Sequence, residues 1–222
     1  MSNRCVIVIP AYKEILEAEE IASLRRVVDV LGSYRIVIVH PVGMSLFGYQ
    51  PFVEVTDTIA LDKYYFRDRR TYSELLEDAL FYGLFAGYEY MLIYQLDAWV
   101  FSDRLEEFMD LGYDYIGAPH CEWENGYPIV GNGGLSLRKI QAFADVCRRF
   151  WIKKEYHWAE DRAFTECAPS ARLRIAPVDV AYRFSIQDHF EEGMRSNGGE
   201  LPFGSHQGRR FWPDPDKYFK ID

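Results

Sequence analysis

The chain has 222 residues, of which 49% are hydrophobic and 16% aromatic. This supplies enough apolar side chain for one substantial core, so we expect a single domain over residues 1–222. The formal net charge of −9 excludes general nucleic-acid binding, because counterion release requires a cationic surface.

The first part of the chain alternates between apolar strands and an amphipathic helix. Continuous apolar runs at Cys5–Ile9 and Arg35–Val39 are typical of strands buried on both faces. Between them, apolar residues at helical spacing predict a helix over Glu14–Leu31, which Gly32 is placed to stop. Val53–Val55 is predicted as a short third strand.

A second helix and the central strand follow. Thr71 with Glu74 three residues later matches a capping box, which predicts a helix that begins there and continues to Leu84. The apolar run Tyr90–Tyr94 is the next predicted strand. The later predicted elements are a helix near Arg104–Leu111, strands at Tyr115–Ala118 and Leu135–Leu137, helices near Lys139–Phe150 and Trp158–Cys167, and a strand near Leu173–Ile175.

This alternation implies an α/β fold with a mainly parallel central sheet that helices cover on both faces. Ligands of such sheets lie beyond the carboxyl ends of the strands, which would bring the loop Pro10–Glu14 close to Gln95–Asp97. Residues 198–222 are rich in Gly, Pro, aromatic and basic residues and are predicted to be a loop-like tail that closes over the site. No apolar run has the length of a signal-peptide core or a membrane span. We therefore expect a cytoplasmic protein, with peripheral association at the inner face of the membrane left open.

The segment Gln95-Leu96-Asp97 places a carboxylate directly after a buried strand. A buried charge is costly unless it is paired or binds a metal, so Asp97 is either a helix cap or ion-pair partner, or a ligand for a hard divalent cation.

Two further segments carry candidate site residues. The step Asn132-Gly133-Gly134 is either a plain turn or a close backbone approach to a ligand. Glu160 and Asp161 begin a helix, where acids complement the helix dipole; as adjacent residues they point about 100° apart, so only one would face a given ligand.

Cationic residues and a histidine complete the candidates. His206 lies in a glycine-flanked segment followed by Arg209 and Arg210, and a second cluster contains Arg67, Arg69 and Arg70. Each cluster is either solvated surface charge or a phosphate site.

Five segments in this order resemble the DUF5672 family, whose members are proteins with a glycosyltransferase A-type (GT-A) fold. They are Val-Ile-Val-Ile-Pro-Ala-Tyr-Lys-Glu (6–14), Tyr-Gln-Leu-Asp (94–97), Asp-Tyr-Ile-Gly-Ala-Pro (114–119), Gly-Asn-Gly-Gly-Leu-Ser-Leu-Arg (131–138) and Glu-Asp-x-x-Phe (160–164). The resemblance implies a Rossmann-type α/β sandwich that binds a nucleotide-diphosphate sugar.

The resemblance also implies a role for each candidate. Asp97, with His206 as second ligand, would hold Mn²⁺ or Mg²⁺ on the donor diphosphate. Gln95 stands where the Asp-x-Asp motif of the wider glycosyltransferase A class has its first acid. Asp161, with Glu160 second, would be the general base of an inverting reaction. The implied nucleotide-binding residues are Pro10, Tyr12, Glu14, Arg69, Tyr72 and Gln95, the sugar- and acceptor-binding residues are Asn132, Gly133, Gly134 and Trp158, and the phosphate-binding residues are Arg209 and Arg210.

The predicted function is sugar transfer from a nucleotide sugar to a hydroxyl of a glycan or glycolipid, in the assembly of surface polysaccharide. Two alternatives remain. A catalytically inactive sugar- or nucleotide-binding protein would explain Gln95. A nucleotidyltransferase is disfavoured, because the loop Pro10–Glu14 has no glycine with which to grip a triphosphate.

Overall fold

The structure, a computed structural model, describes residues 2–53, 57–124, 127–149 and 159–221. The strands are β1 Ser2–Pro10, β2 Tyr34–Pro41, β3 Asp57–Leu61, β4 Tyr90–Tyr94, β5 Ala98–Val100, β6 Tyr115–Gly117, β7 Pro119–Glu124, β8 Tyr127–Val130, β9 Leu135–Lys139 and β10 Gly204–His206. The helices are α1 Ala18–Leu31, α2 Gln50–Val53, α3 Arg69–Leu76, α4 Ala79–Gly83, α5 Leu105–Asp110, α6 Ile140–Arg149, α7 Glu160–Ala171, α8 Val178–Phe184, α9 Phe190–Ser196, α10 Gly208–Phe211 and α11 Pro215–Tyr218.

The central sheet has six strands in the order β3-β2-β1-β4-β9-β6. Strands β3, β2, β1 and β4 run parallel, and β9 runs antiparallel to both of its neighbours. The predicted mainly parallel sheet is confirmed, with β9 as its one reversed strand. β9 leads directly into α6 at Ile140.

Helices cover both faces of the sheet, as predicted. Along β1, Cys5, Ile7 and Ile9 face one core, which contains residues of α1, α5 and α8. Val6 and Val8 face the other, which contains residues of α3, α4, α6 and α7. This two-sided burial is why β1 reads as an unbroken apolar run.

The helix predicted from Thr71 to Leu84 begins earlier and is divided in two. Asp68 caps α3 by accepting a hydrogen bond from the backbone N–H of Thr71, so Thr71 is the third helical residue and the predicted cap is wrong. Asp78 then caps α4 by accepting from the N–H of Leu80. The Asp78 carboxylate thus satisfies a backbone N–H group at the start of α4, which allows a new helix to begin just after α3 has ended.

Other boundaries also differ from the predictions. The first helix begins at Ala18 rather than Glu14, because Glu17 and Glu20 form its capping box. Val53 ends α2, and the third strand is Asp57–Leu61; residues 54 and 55 of the predicted strand lie outside the described residues. The predicted strand near Leu173–Ile175 is reduced to a single bridge between Ile175 and Tyr115.

The C-terminal segment is more ordered than the predicted loop-like tail. Strand β10 pairs antiparallel with β5, and α10 and α11 follow it. Trp212 and Phe219 pack with Tyr182 and Ile186 in a separate aromatic cluster. Burial of these large rings fixes the tail against the body of the protein. Among the described residues, every helix is too short or too polar to cross a lipid bilayer.

Candidate active site

Asp97 and His206 meet beyond the carboxyl end of β4. The chain leaves β4 at Tyr94 and turns through Gln95 and Leu96 into β5, and the pairing of β5 with β10 sets His206 opposite Ala98. As a result, Nε2 of His206 lies 3.2 Å from Oδ1 of Asp97, although 109 positions separate the two residues in the chain.

A hydrogen bond at Nδ1, the ring nitrogen that does not face Asp97, fixes the orientation of the His206 ring. Nδ1 lies 2.8 Å from Oε1 of Gln187, and an amide oxygen can only accept, so Nδ1 carries the proton. In that tautomer Nε2 presents a lone pair to the Asp97 carboxylate, and within the described part of the chain this buried nitrogen has no aligned hydrogen-bond partner. Two acceptors 3.2 Å apart require a proton or a cation between them.

Asp97 itself opens to solvent, with 47% of its side chain exposed. Oδ2 accepts a hydrogen bond of 3.0 Å from the side-chain amide of Gln207. Partial burial raises the pKa of Asp97, but the neighbouring His206 imidazole and the Gln207 amide outweigh it, and the pKa is lowered. Asp97 is therefore an anion at neutral pH.

Gly134 forms the wall behind the imidazole. A Cβ atom at this position would lie 2.1 Å from Nε2 of His206, so any side chain there would displace the ring. The Gly134 carbonyl also accepts a 2.9 Å hydrogen bond from the N–H of Gln95. Gly134 thus contacts both the backbone that follows β4 and the ring of His206.

Two clefts meet at this pair. The first cleft, of about 390 Å³, is lined by Pro10, Tyr12, Lys13, Glu20, Tyr49, Phe66, Arg67, Asp68, Arg69, Tyr72, Gln95, Leu96 and Asp97. The second cleft, of about 440 Å³, is lined by Arg69, Tyr72, Gln95, His120, Asn132, Gly133, Gly134, Ala159, Glu160, Asp161, Arg162, Gln187, His206 and Gln207. Arg69, Tyr72 and Gln95 line both clefts and mark their junction, where Asp97 lies on one side and His206 on the other.

Glu160 and Asp161, the two acids at the start of α7, lie in different environments. Asp161 faces the second cleft; its Oδ2 accepts from the N–H of Gly133 at 3.1 Å and its Oδ1 from the N–H of Arg162 at 2.8 Å. Glu160 instead forms a 3.0 Å salt bridge with Arg138. Burial and the Asp161 carboxylate raise the pKa of Glu160, and Arg138 opposes them.

Arg138 is fully buried beneath the site. Its guanidinium donates to Oγ of Ser136, to the hydroxyl of Tyr82 and to Oε1 of Glu160, at 3.0 to 3.1 Å. Ser136 in turn donates to the carbonyl of Gly133 at 3.0 Å. This network ties the glycine turn to the start of α7, and thereby sets the position of Asp161.

A model of one protein family matches residues 56–206, which is more than half of the chain. This chain belongs to the DUF5672 family. The family is described as proteins of unknown function. A search of curated proteins gave no match.

Solved structures of glycosyltransferases share the fold of this DUF5672 protein. The apo form of the glycosyltransferase GlyE of Streptococcus pneumoniae TIGR4 aligns with a TM-score of 0.58 at 12% identity, over 92% of this chain and 54% of that chain. The galactosyltransferase LgtC in complex with donor and acceptor sugar analogs gives 0.57 at 14% identity, over 94% and 87%. A glycosyltransferase involved in glycosylation of the major capsid of PBCV-1 gives 0.54 at 10% identity, over 99% and 100%. The predicted GT-A-type fold is confirmed, and the chain spans about half the length of the GlyE chain.

Most of the predicted site residues of the DUF5672 protein line the two clefts, with four exceptions. Glu14 is exposed and accepts a hydrogen bond from the N–H of Ser45 instead of facing the first cleft. Arg209 is held by Glu19, Asp216 and the carbonyl of Phe219; Arg210 is exposed beside Phe211. Both arginines line a separate depression of about 250 Å³ that reaches Asp97 from the side of α1. Trp158 lies outside the described residues.

Sequence reasoning passed over three residues that the fold brings to the site. Arg138 was visible at the end of the Ser-Leu-Arg segment, but its burial depends on strands and helices distant in the chain. Gln187 and His120 carry no local signal. Gln187 reaches the second cleft from the loop between α8 and α9, and His120 reaches it from β7, and alternation of apolar residues reveals neither.

The donor set at the junction fits a divalent cation of the Mn²⁺ or Mg²⁺ type. One carboxylate oxygen and one imidazole lone pair converge, and the histidine is oriented by Gln187 through its other nitrogen, as metal-bound histidines are. Within the described ranges no group of three or more His, Cys, Asp or Glu side chains could hold a metal. Such a cation would need its remaining ligands from water and from substrate oxygens, which is the usual arrangement at phosphate-binding sites.

Proposed function

We propose that this protein is a glycosyltransferase that moves a sugar from a nucleotide-diphosphate sugar to a hydroxyl acceptor. The observation that carries the proposal is the Asp97–His206 pair at the junction of two clefts. A nucleotide sugar has a matching division, since its charged diphosphate lies between the nucleoside and the sugar. The GT-A-type fold, shared with solved glycosyltransferases, supports the same conclusion.

In this proposal the first cleft takes the nucleoside. Pro10 and Tyr12 leave the carboxyl end of β1, and Tyr12 has 65% of its surface exposed and available for stacking against a base. Gln95, at the junction, offers a neutral amide to the ribose. The first cleft, at about 390 Å³, is large enough for a nucleoside, since small-molecule sites usually have volumes of several hundred Å³.

The diphosphate lies at the junction. Arg69 lines both clefts and supplies a guanidinium to the phosphate oxygens, and Tyr72 adds a buried hydroxyl. Arg209 is less suited to this role than predicted, because two carboxylates already neutralise it. Asp97 and His206 would hold the divalent cation, which, when bound, neutralises charge on the departing diphosphate.

The second cleft takes the donor sugar and the acceptor. The Asn132–Gly134 turn brings backbone close to the sugar, and Asp161 lies beside it. Asp161 lies on the side of the cleft where we place the acceptor hydroxyl that attacks the anomeric carbon. Glu160 is already committed to Arg138, which leaves Asp161 as the better placed of the two carboxylates.

The acceptor is proposed to be a glycan or glycolipid of surface polysaccharide, used at the inner face of the membrane. A single residue favours the rival function of a non-catalytic sugar- or nucleotide-binding protein: Gln95 brings no charge to the cation site. Both functions require donor binding, so only turnover separates them.

The test is release of the nucleotide from UDP-, GDP- and CMP-linked sugars, with Mn²⁺ or Mg²⁺ and with water or free monosaccharides as acceptor. Asp97→Ala is the matched control. We expect release from one donor class, dependent on the cation and lost in Asp97→Ala. A donor that raises the melting temperature by mass action but is never cleaved would establish the rival function instead.

A further inference from the structure

His120 is a polar side chain in the second cleft whose contacts the fold does not explain. It lies in β7, three residues after the end of β6, and 19% of its side chain remains exposed where it lines the cleft. Its Nε2 atom is buried and has no hydrogen-bond partner among the residues that the structure describes. A buried polar atom left unpaired is costly, so a partner that comes within hydrogen-bond distance of this nitrogen would be favoured.

The unpaired nitrogen points at Asp161. Nε2 of His120 lies 3.9 Å from Oδ2 of Asp161, about 1 Å beyond hydrogen-bond distance. Pairs of catalytic groups are often this loose without substrate and tighten when it binds. The geometry is that of a histidine with a carboxylate behind it, which orients the ring and stabilises the imidazolium.

Asp161 is better suited to this supporting role than to proton transfer. Both of its carboxylate oxygens accept backbone N–H bonds, from Gly133 and from Arg162, and these bonds fix the side chain. Both residues line the second cleft, but only 9% of the Asp161 side chain is exposed, against 19% of the His120 side chain.

We propose that His120 is the catalytic base of the transfer and that Asp161 is its positioning partner. This inference rests on the proposed function. The acceptor O–H gives its proton to Nδ1 of His120, and the freed oxygen pair forms the new bond to the anomeric carbon. The bond from that carbon to the diphosphate breaks, and its electron pair leaves with the diphosphate. Asp161 holds the Nε2 proton throughout, and water later removes the proton from Nδ1.

The experiment measures kcat and KM for nucleotide release, with the active donor class and Mn²⁺, in His120→Gln, His120→Ala, Asp161→Asn and the double variant His120→Ala/Asp161→Asn. We expect each single variant to lose roughly 100- to 10,000-fold in kcat with donor KM changed little. Because the two residues act as a unit, the double variant should be no slower than His120→Ala. Added imidazole should restore part of the activity of His120→Ala alone.

The matched control is His189→Gln, at a histidine beside α9 that lines neither cleft, which should keep wild-type kcat. Melting temperatures check that each variant is folded. Wild-type turnover with an unchanged kcat in His120→Gln, or a loss confined to KM and not rescued by imidazole, would overturn this inference and leave the proposed function standing. Failure of the wild type to release nucleotide from any donor would overturn the proposed function itself.

Discussion

Arg138 and Glu160 form a salt bridge of 3.0 Å in which the arginine is fully buried and the carboxylate nearly so. The guanidinium also lies within 6 Å of the ring centroids of Tyr115, Phe143 and Phe164, so its surroundings are aromatic. A buried salt bridge of this kind contributes little net stability, but removing one partner leaves the other as an unpaired charge in the core.

Removal of either partner should therefore destabilise the protein strongly. We expect Arg138→Met to lower the free energy of unfolding by about 3–5 kcal/mol, and Arg138→Met/Glu160→Leu to regain most of that loss. Urea unfolding of the double-mutant cycle measures the coupling. The exposed pair Arg148–Asp145, also at 3.0 Å, is the control, and Arg148→Met should cost less than about 1 kcal/mol. Equal costs at the two sites would contradict the prediction.

Gly134→Ala should remove cation binding without unfolding the protein. The new methyl group would occupy the position of the His206 ring, which must then turn away from Asp97. We expect Mn²⁺ affinity, measured by calorimetry in the presence of nucleoside diphosphate, to fall roughly 10- to 100-fold. Gly83→Ala is the control, because a Cβ there meets no atom within 4 Å; its free energy of unfolding should change by less than about 1 kcal/mol. Unchanged Mn²⁺ affinity in Gly134→Ala would show that His206 is not a ligand.

Substitutions on the metal motif should move cation binding in opposite directions. Asp97→Asn removes the one carboxylate of the pair and should reduce kcat/KM roughly 100-fold or more. Gln95→Asp adds a second carboxylate at the junction of the clefts and should tighten Mn²⁺ binding, with Gln95→Asn as its uncharged control. Manganese titrations followed by electron paramagnetic resonance report both effects. Equal affinities in the aspartate and asparagine variants would place Gln95 outside the cation's reach.

The cap of α3 should give a pH-dependent contribution to stability. The N–H of Thr71 holds the pKa of Asp68 below its ordinary value of 3.8. A carboxyl with a lowered folded-state pKa stabilises the fold fully above its unfolded pKa, and that stabilisation is lost as the pH falls through the folded value. The difference in urea midpoint between wild type and Asp68→Ala should therefore shrink below about pH 4.

Asp68→Asn is the control for this titration, because it keeps an acceptor oxygen but cannot ionise. Its difference from Asp68→Ala should be the same at pH 7 and at pH 3. A wild-type advantage over Asp68→Ala that persists undiminished at pH 3 would mean that the charge of Asp68 contributes nothing to the cap.

The parts of the fold that the sequence predicted well are those with strong periodicity. The strands at Cys5–Ile9 and Tyr90–Tyr94 are unbroken apolar runs, and two-sided burial makes such runs distinctive. The direction of β9 carries no such signal, because apolar alternation is the same for a parallel and an antiparallel strand. The break at Asp78 has no sequence signal for a similar reason, since Leu76 and Leu80, four residues apart, keep helical spacing across it.

The candidate site also contains some residues that the sequence predicts and others that it does not. Asp97 and Asp161 were found because each follows or begins a predicted element, where a carboxylate is unusual or exposed to a ligand. The partners that orient the site, Gln187 behind His206 and Arg138 behind Glu160, are determined by tertiary packing. No local pattern specifies which distant side chain will face a given atom.

The pairing of β10 with β5 also determines when the site can exist. Every strand of the central sheet is complete by Lys139, whereas His206 reaches Asp97 only after β10 has added to β5. During synthesis from the N-terminus, all six strands of the sheet leave the ribosome before the segment that carries His206, so the proposed cation pair can form only after those strands are available. A nascent chain that has not yet reached β10 would therefore contain the strands of the sheet and Asp97 without the second residue of the proposed cation pair.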